Sequence, residues 1–149
     1  MATFKFEGAE DYNKAIVKLG DLYGPTCERM LNRAVKIMKD ALKRANSVFA
    51  KYVRGKKAKH NKYGWFAQVH FGGHFINRGD ATGTSAARAA VIYEYGRAAG
   101  SYVDSKGHTR PVHAQPARPW IRATAQSVEG EVVAAMQEEY DKAVAEIMG

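Results

Sequence analysis

One cysteine, Cys27, stands in a chain of 149 residues. A lone thiol excludes an internal disulfide and a cysteine-built zinc site, and it fits synthesis in a reducing cytoplasm. No apolar run approaches the roughly 18–20 residues of a membrane span. The opening residues, Met1–Glu7, lack the apolar stretch of a secretory signal. A soluble protein without membrane contact is the expectation. Repeats and low-complexity segments are missing. So is a phosphate loop, since "GRAAGS" (96–101) has neither its lysine nor its spacing. Acids are also short, 15 against 23 Lys and Arg, which leaves a net charge of +8. That balance allows contact with nucleic acid, an anionic surface or an acidic protein, without choosing among them.

Catalytic groupings are equally scarce. Hydrolysis needs a nucleophile with an oriented base, or two carboxylates with separated pKa values. His70 and His74 stand four apart, but "HFGGH" holds two glycines after a strand pattern, so the helical geometry of a metal pair is missing. A metal hydrolase built on them is a remote third reading. His108 and His113 belong to a loop. Glu138 and Glu139 fall on the outer face of the last helix, and Asp40 lies among lysines. Cys27 sits near a helix start, but no base accompanies it. "RGD" at 78–80 is a chance tripeptide. Glu94 differs, being a solitary acid between two tyrosines. It is either an exposed residue or a buried carboxylate paired with an arginine such as Arg97 or Arg118, because an unpaired one is costly there. No enzyme, metal or cofactor is implied.

What is present fits a single domain, 1–149. Residues 1–24 read as a leader and a short helix: Ile16, Val17 and Leu19 follow Tyr12 at near-helical spacing, and Gly20 ends the turn. Gly24-Pro25 punctuate, and Thr26 caps the next helix. Over 26–50, Leu31, Val35, Met38, Leu42 and Ala45 adjoin the row Met30, Ala34, Ile37 and Ala41, a long amphipathic helix. Residues 51–63 form a basic linker with Lys51, Arg54, Lys56, Lys57, Lys59 and Lys62 and no acid. It reads as a solvated mobile loop, or as a contact for DNA or an acidic partner. Trp65, Ala67, Val69 and Phe71 alternate as a strand, Gly72-Gly73 turn, and His74–Asn77 return. "NRGDATGTS" (77–85) is a loop. Residues 88–95 fit a strand or a short helix ending at Gly96 equally well. Residues 97–116 read as a long irregular loop, a kind that is usually functional or disordered. Pro119 then suits the first position of a final helix, whose face is Val128, Val132, Met136, Tyr140, Val144 and Ile147. Gly130 weakens that helix by about 1 kcal/mol relative to alanine. The class is α+β: a small antiparallel sheet against a long N-terminal helix and a C-terminal helix, with a long loop between.

Two signatures flank that loop, Tyr93-Glu94-Tyr95-Gly96 and Gln115-Pro116-Ala117-Arg118-Pro119-Trp120. With the order of elements around them they resemble, over roughly 28–147, the neck (head–tail joining, tail-completion) proteins of tailed bacteriophages, the gene-product-ten-like family. The chain departs from that pattern in three places. A Thr-Gly-x-Leu-arginine turn before the first strand is replaced by "NKYGWFAQ", Arg97 stands where Thr is common, and the loop is longer. The resemblance implies a non-enzymatic structural subunit of the virion, assembled in the bacterial cytoplasm. It implies a ring, six- or twelve-fold, between portal or adaptor and tail proteins, with passing contact to genomic DNA. Heterologous contacts build such rings, and a loop leaving rigid corners orders on a neighbour. The interface residues this implies are Tyr93, Glu94, Tyr95, Gly96, Arg97, Arg110, Gln115, Pro116, Arg118, Pro119 and Trp120. Arg118 reaches a carboxylate from a fixed backbone. Trp120 anchors the last helix, fills a neighbour's pocket, or is an ordinary core aromatic. The alternative is a nucleic-acid-binding module using Lys51–Lys62, with Tyr52, Tyr63 and Trp65 as stacking residues.

Overall fold

The computed structural model describes residues 9–75 and 84–149, so the leader 1–8 and most of the 77–85 loop lie outside the described residues. The class is α+β, as the sequence suggests. A single helix, α1 (Ala9–Ala45), replaces the expected short and long pair. Neither Gly20 nor Gly24-Pro25 breaks it, and Pro25 lies inside. Proline's fixed φ is itself helical, so the local loss is one backbone bond. Packing outweighs that loss. A Cβ on Gly24 would touch the Trp65 ring at 3.4 Å, and Thr26 is buried, accepting a hydrogen bond from Arg29 rather than capping a new helix. Glu10 and Asp11 in the first turn and Lys43 and Arg44 in the last suit the helix dipole.

A 3-10 turn, Ala50–Tyr52, leads into β1 (Val53–Asn61), which pairs antiparallel with β2 (Gly64–Phe71) from Val53↔Phe71 to Asn61↔Gly64. The stretch expected to be a mobile linker is therefore a strand. It lies on α1 through small residues: a Cβ on Gly55 would stand 2.6 Å from Val35 Cγ1, and the Ala58 amide donates to Asn32 Oδ1 at 2.8 Å. The lysines face solvent, and the register slips between Lys56 and Lys59. At the tip, Asn61 Oδ1 accepts from the Tyr63 amide, and Gly64 takes φ +120°.

After Gly73 the chain does not return along β2. Instead β3 (His74–Phe75) pairs with β4 (Thr84–Ser85). Ser85 caps α2 (Ala86–Tyr95) by accepting from the Arg88 amide at 3.2 Å. That settles the strand-or-helix alternative over 88–95 as helix. The expected irregular loop 97–116 also carries structure, because β5 (Gly100–Val103) and β6 (Thr109–Val112) form a hairpin. The last helix, α3 (Ile121–Met148), starts with Trp120 at its cap, so Pro119 precedes it rather than occupying its first turn.

Two interiors result. One is aromatic: Phe49 stacks on Trp120 at 5.6 Å and meets Tyr93 (5.3 Å) and Phe71 (6.0 Å) edge-on, with Tyr52, Ala86 and Ala90 buried alongside. The other lies between α1 and α3. Arg33 meets Ala135, Glu138 and Glu139 of α3, while a hollow farther along α1, lined by Ile37, Asp40 and Arg44, is shared with Glu131. The helices therefore run antiparallel. The stripe α3 buries is Thr124, Val128, Ala135, Glu139 and Ala143, while Tyr140 and Val144 of the expected face are exposed. Small side chains let the helices approach closely, and Glu139 is drawn inward by Arg29 and Arg33. Among the described residues no helix is long and apolar enough to cross a membrane.

Candidate functional site

The two signatures form one corner. Gly96 ends α2 with φ +74°, a conformation L side chains rarely adopt. A Cβ there would lie 2.7 Å from both Gln115 O and Ala117 N, so the segments cross at van der Waals limit. Arg97 and Gln115 exchange two backbone hydrogen bonds of 2.9 Å beside the crossing. The Arg118 amide donates to Tyr93 O at 2.8 Å. The Arg118 guanidinium lies over the Tyr93 ring, 5.5 Å from its centre, and donates to its hydroxyl at 3.2 Å. The fixed backbone of Arg118 thus aims it at an aromatic of its own chain, not at a carboxylate.

Glu94 is buried, 5% exposed, but neither Arg97 nor Arg118 pairs with it. Its carboxylate accepts from the amides of Trp120 (2.6 Å), Ile121 (2.8 Å) and Arg122 (3.1 Å), the opening turn of α3. Trp120 offers no capping side chain. Glu94 therefore serves as the N-cap from another helix, satisfying donors that would be orphaned and placing a negative charge at the positive end of the dipole. Burial pushes its carboxyl pKa up. The three amides and the Arg122 charge outweigh that and hold it below the ordinary value.

The eleven implied interface residues, nine from the signatures plus Arg97 and Arg110, do not share one environment. Tyr93, Glu94, Gly96, Gln115, Arg118 and Trp120 make bonds or packing within the chain, with Trp120 half-buried against Phe49 and Phe71. Tyr95, Pro116 and Pro119 are exposed. Arg97 donates to His113 O at 3.1 Å from an exposed position. Arg110 is on β6, at the far end of the hairpin, held to Asp104 Oδ2 at 2.9 Å. Asp104 also accepts from the His108 and Lys106 amides. The His108 amide above all, then Arg110, lowers its pKa. The hairpin tip is thus fixed by its own bonds, while β5 and β6 are exposed apart from half-covered Val112.

Lys51, in the turn before β1, and Arg54, Lys56, Lys57, Lys59 and Lys62 of the β1–β2 hairpin are all exposed. Arg54 donates to Lys51 O, and Lys62 stands over the Tyr63 ring at 4.8 Å. Of the proposed stacking residues, Tyr63 is open at the tip. Trp65 is half-covered by His60 and α1, and Tyr52 is in the core, unavailable to a base. His70 and His74 fall on different sheets. Among the described residues no three His, Cys, Asp or Glu gather as metal ligands.

Sequence reasoning missed one polar centre. Glu139, assigned above to the outer face with Glu138, is 7% exposed and meets Arg33 (3.0 Å), Arg29 (3.4 Å) and Lys142 (2.9 Å). The hydrogen bond from Lys142, against burial, and then that from Arg33 lower its pKa. Nothing in the sequence warned of it, because Ala135 and Ala143, four residues to either side and buried with it, are outside the expected apolar face. Comparison with protein-family models, with curated proteins and with solved structures finds no match.

Proposed function

We propose that the chain is a structural subunit of a tailed-phage neck, a ring that joins head to tail and lets DNA pass. The observation that carries this is the corner. The two signatures behind the family resemblance interlock at Gly96 and project a hairpin whose strands, among the described residues, pair only with each other. Such an arm, with a self-fixed tip and little cover from its own body, suits a subunit that grips a neighbour with little further loss of chain entropy. Gly96 and the prolines set its exit and return. Arg97 and Tyr95 at its root and Arg110 at its tip are the contact residues. Electron images of the purified protein, or of necks containing it, test the reading. A closed annulus with a bore wide enough for duplex DNA is expected, and solitary copies in the virion would end it.

A second reading rests on the acid-free hairpin β1–β2. Six exposed cations, from Lys51 before the hairpin to Lys62 beside Tyr63 at its tip, fit a row of phosphates and one stacked base, a sequence-blind contact. It predicts DNA affinity that falls steeply with salt. The two readings are compatible if the hairpin lines the bore.

A further inference from the structure

α3 is apolar on two sides. One stripe packs on α1. On the other, Val133 (59% exposed), Tyr140 (51%), Val144 and Met148 recur at helical spacing with no described element over them. A helix with one apolar stripe buries one side, and a helix with two has two sides to bury. α1 shows the converse. The stripe it turns to α3, Thr26, Met30, Ile37 and Ala41, continues toward the N-terminus as Tyr23 (61%), Leu19 (54%) and Ile16 (49%). The helices are antiparallel, and these exposed residues of α1 lie beyond the part of it that α3 covers, so α1 overhangs that contact. The segment 9–23, rising about 1.5 Å per residue, is about 22 Å long.

We propose that the α1 overhang of one copy lies along the outward stripe of α3 in a second copy. The stripe on the overhang is continuous with the one that already packs an α3 face within the chain, so an α3 face is what it fits. Both halves of the contact are on one molecule, at different surfaces, which makes it heterologous and able to propagate around a ring. Charge argues against the symmetric alternative. Between Glu129 and Glu146, α3 carries six acids and one lysine. Two α3 helices face to face would set those acids against each other, whereas the apolar stripe of the overhang is free of charge. The contact deepens the ring reading and rests on it only for closure.

The test uses the full chain and light scattering after size exclusion. Leu19→Glu/Tyr23→Glu breaks one half of the contact and Val133→Glu/Tyr140→Glu the other. Wild type is expected to assemble. Each variant alone should have the mass of one chain, and an equimolar mixture should have the mass of two, because one intact junction forms and cannot repeat. A monomeric wild type, a variant that assembles like wild type, or a mixture that stays monomeric would each overturn the proposal. Circular dichroism checks helix content. If a glutamate variant unfolds, Leu19→Cys/Tyr140→Cys on a Cys27→Ser background replaces it: oxidation should give a ladder of cross-linked multimers, and monomer alone would overturn the contact. A ring built through other surfaces removes this contact and keeps the neck reading. A chain that clasps in this way but plays no part in joining head to tail keeps the contact and removes that reading.

Discussion

At the corner, one carboxylate, Glu94, is met by three amides of its own chain. On the β1–β2 hairpin, the ammonium groups of Lys56, Lys57 and Lys59 face solvent with no acid partner among the described residues. The corner uses its polar groups to hold the fold, while the hairpin leaves its own facing solvent. The signature residues that look most like a contact site are therefore largely structural, and the basic segment that looks like filler is an ordered surface. Buried charge that is fully hydrogen-bonded specifies geometry, whereas unpaired exposed charge adds little stability and long reach.

The largest expected effect tests the corner. Gly96→Ala forces a Cβ to 2.7 Å from two backbone atoms at positive φ. We expect a loss of at least about 3 kcal/mol, in the range of strained positive-φ substitutions and overpacking, seen as an insoluble product or a melting point lower by roughly 10 °C. A melt like that of wild type would show that the crossing is not held tightly. Next, Glu94→Ala leaves three amides of α3 without an acceptor and should cost about 2–3 kcal/mol by denaturant titration. The pH dependence has a definite sign. The folded pKa of Glu94 lies below its ordinary 4.5, so its stabilisation is present above that pH and is lost as pH falls through the lowered folded value. Glu94→Gln should flatten this acid limb. A limb unchanged in the variant would assign it to other carboxylates.

A smaller effect is expected at the inter-helix centre. Glu139→Gln removes the charge facing Arg29, Arg33 and Lys142, and the melting point should fall with less dependence on salt than in wild type. The smallest effect on stability belongs to the hairpin. Lys56→Ser/Lys57→Ser/Lys59→Ser should change unfolding free energy by under about 0.5 kcal/mol. The same variant should reduce the salt dependence of duplex binding by roughly one unit of slope per lysine that meets a phosphate. An unchanged slope would remove the hairpin from any DNA contact, and a large drop in stability would make it structural like the corner.

The amphipathic half of α1, the Trp65–Phe71 strand and the existence of α3 were legible because their apolar residues repeat at the period of their element. The basic strand β1 was not. Its inward positions, Gly55 and Ala58, are small, so close approach to α1 left no apolar signature and the lysines dominated. The continuity of α1 through Gly24-Pro25 was hidden because punctuation is local while the Trp65 contact is not. Burial of Glu94 was one of two open options, but its partners were not foreseeable: the acceptor is on α2 and the donors are backbone amides of a helix lacking a cap of its own. The hairpin β5–β6 escaped because Asp104, the residue that turns it, acts through side-chain bonds over a few residues and not through hydrophobic alternation.

Pro25 has one more result. Lacking an N–H, it gives the carbonyl of Asp21 no rung to hold, so the ladder of α1 has a seam two residues beyond Tyr23. The spar ahead of that seam is joined to the rest of the helix with one rung missing. If identical copies must meet at a slightly different curvature in a free annulus and in one seated on a particle, this is where the mismatch would be absorbed, leaving the aromatic interior and the crossing at Gly96 undisturbed.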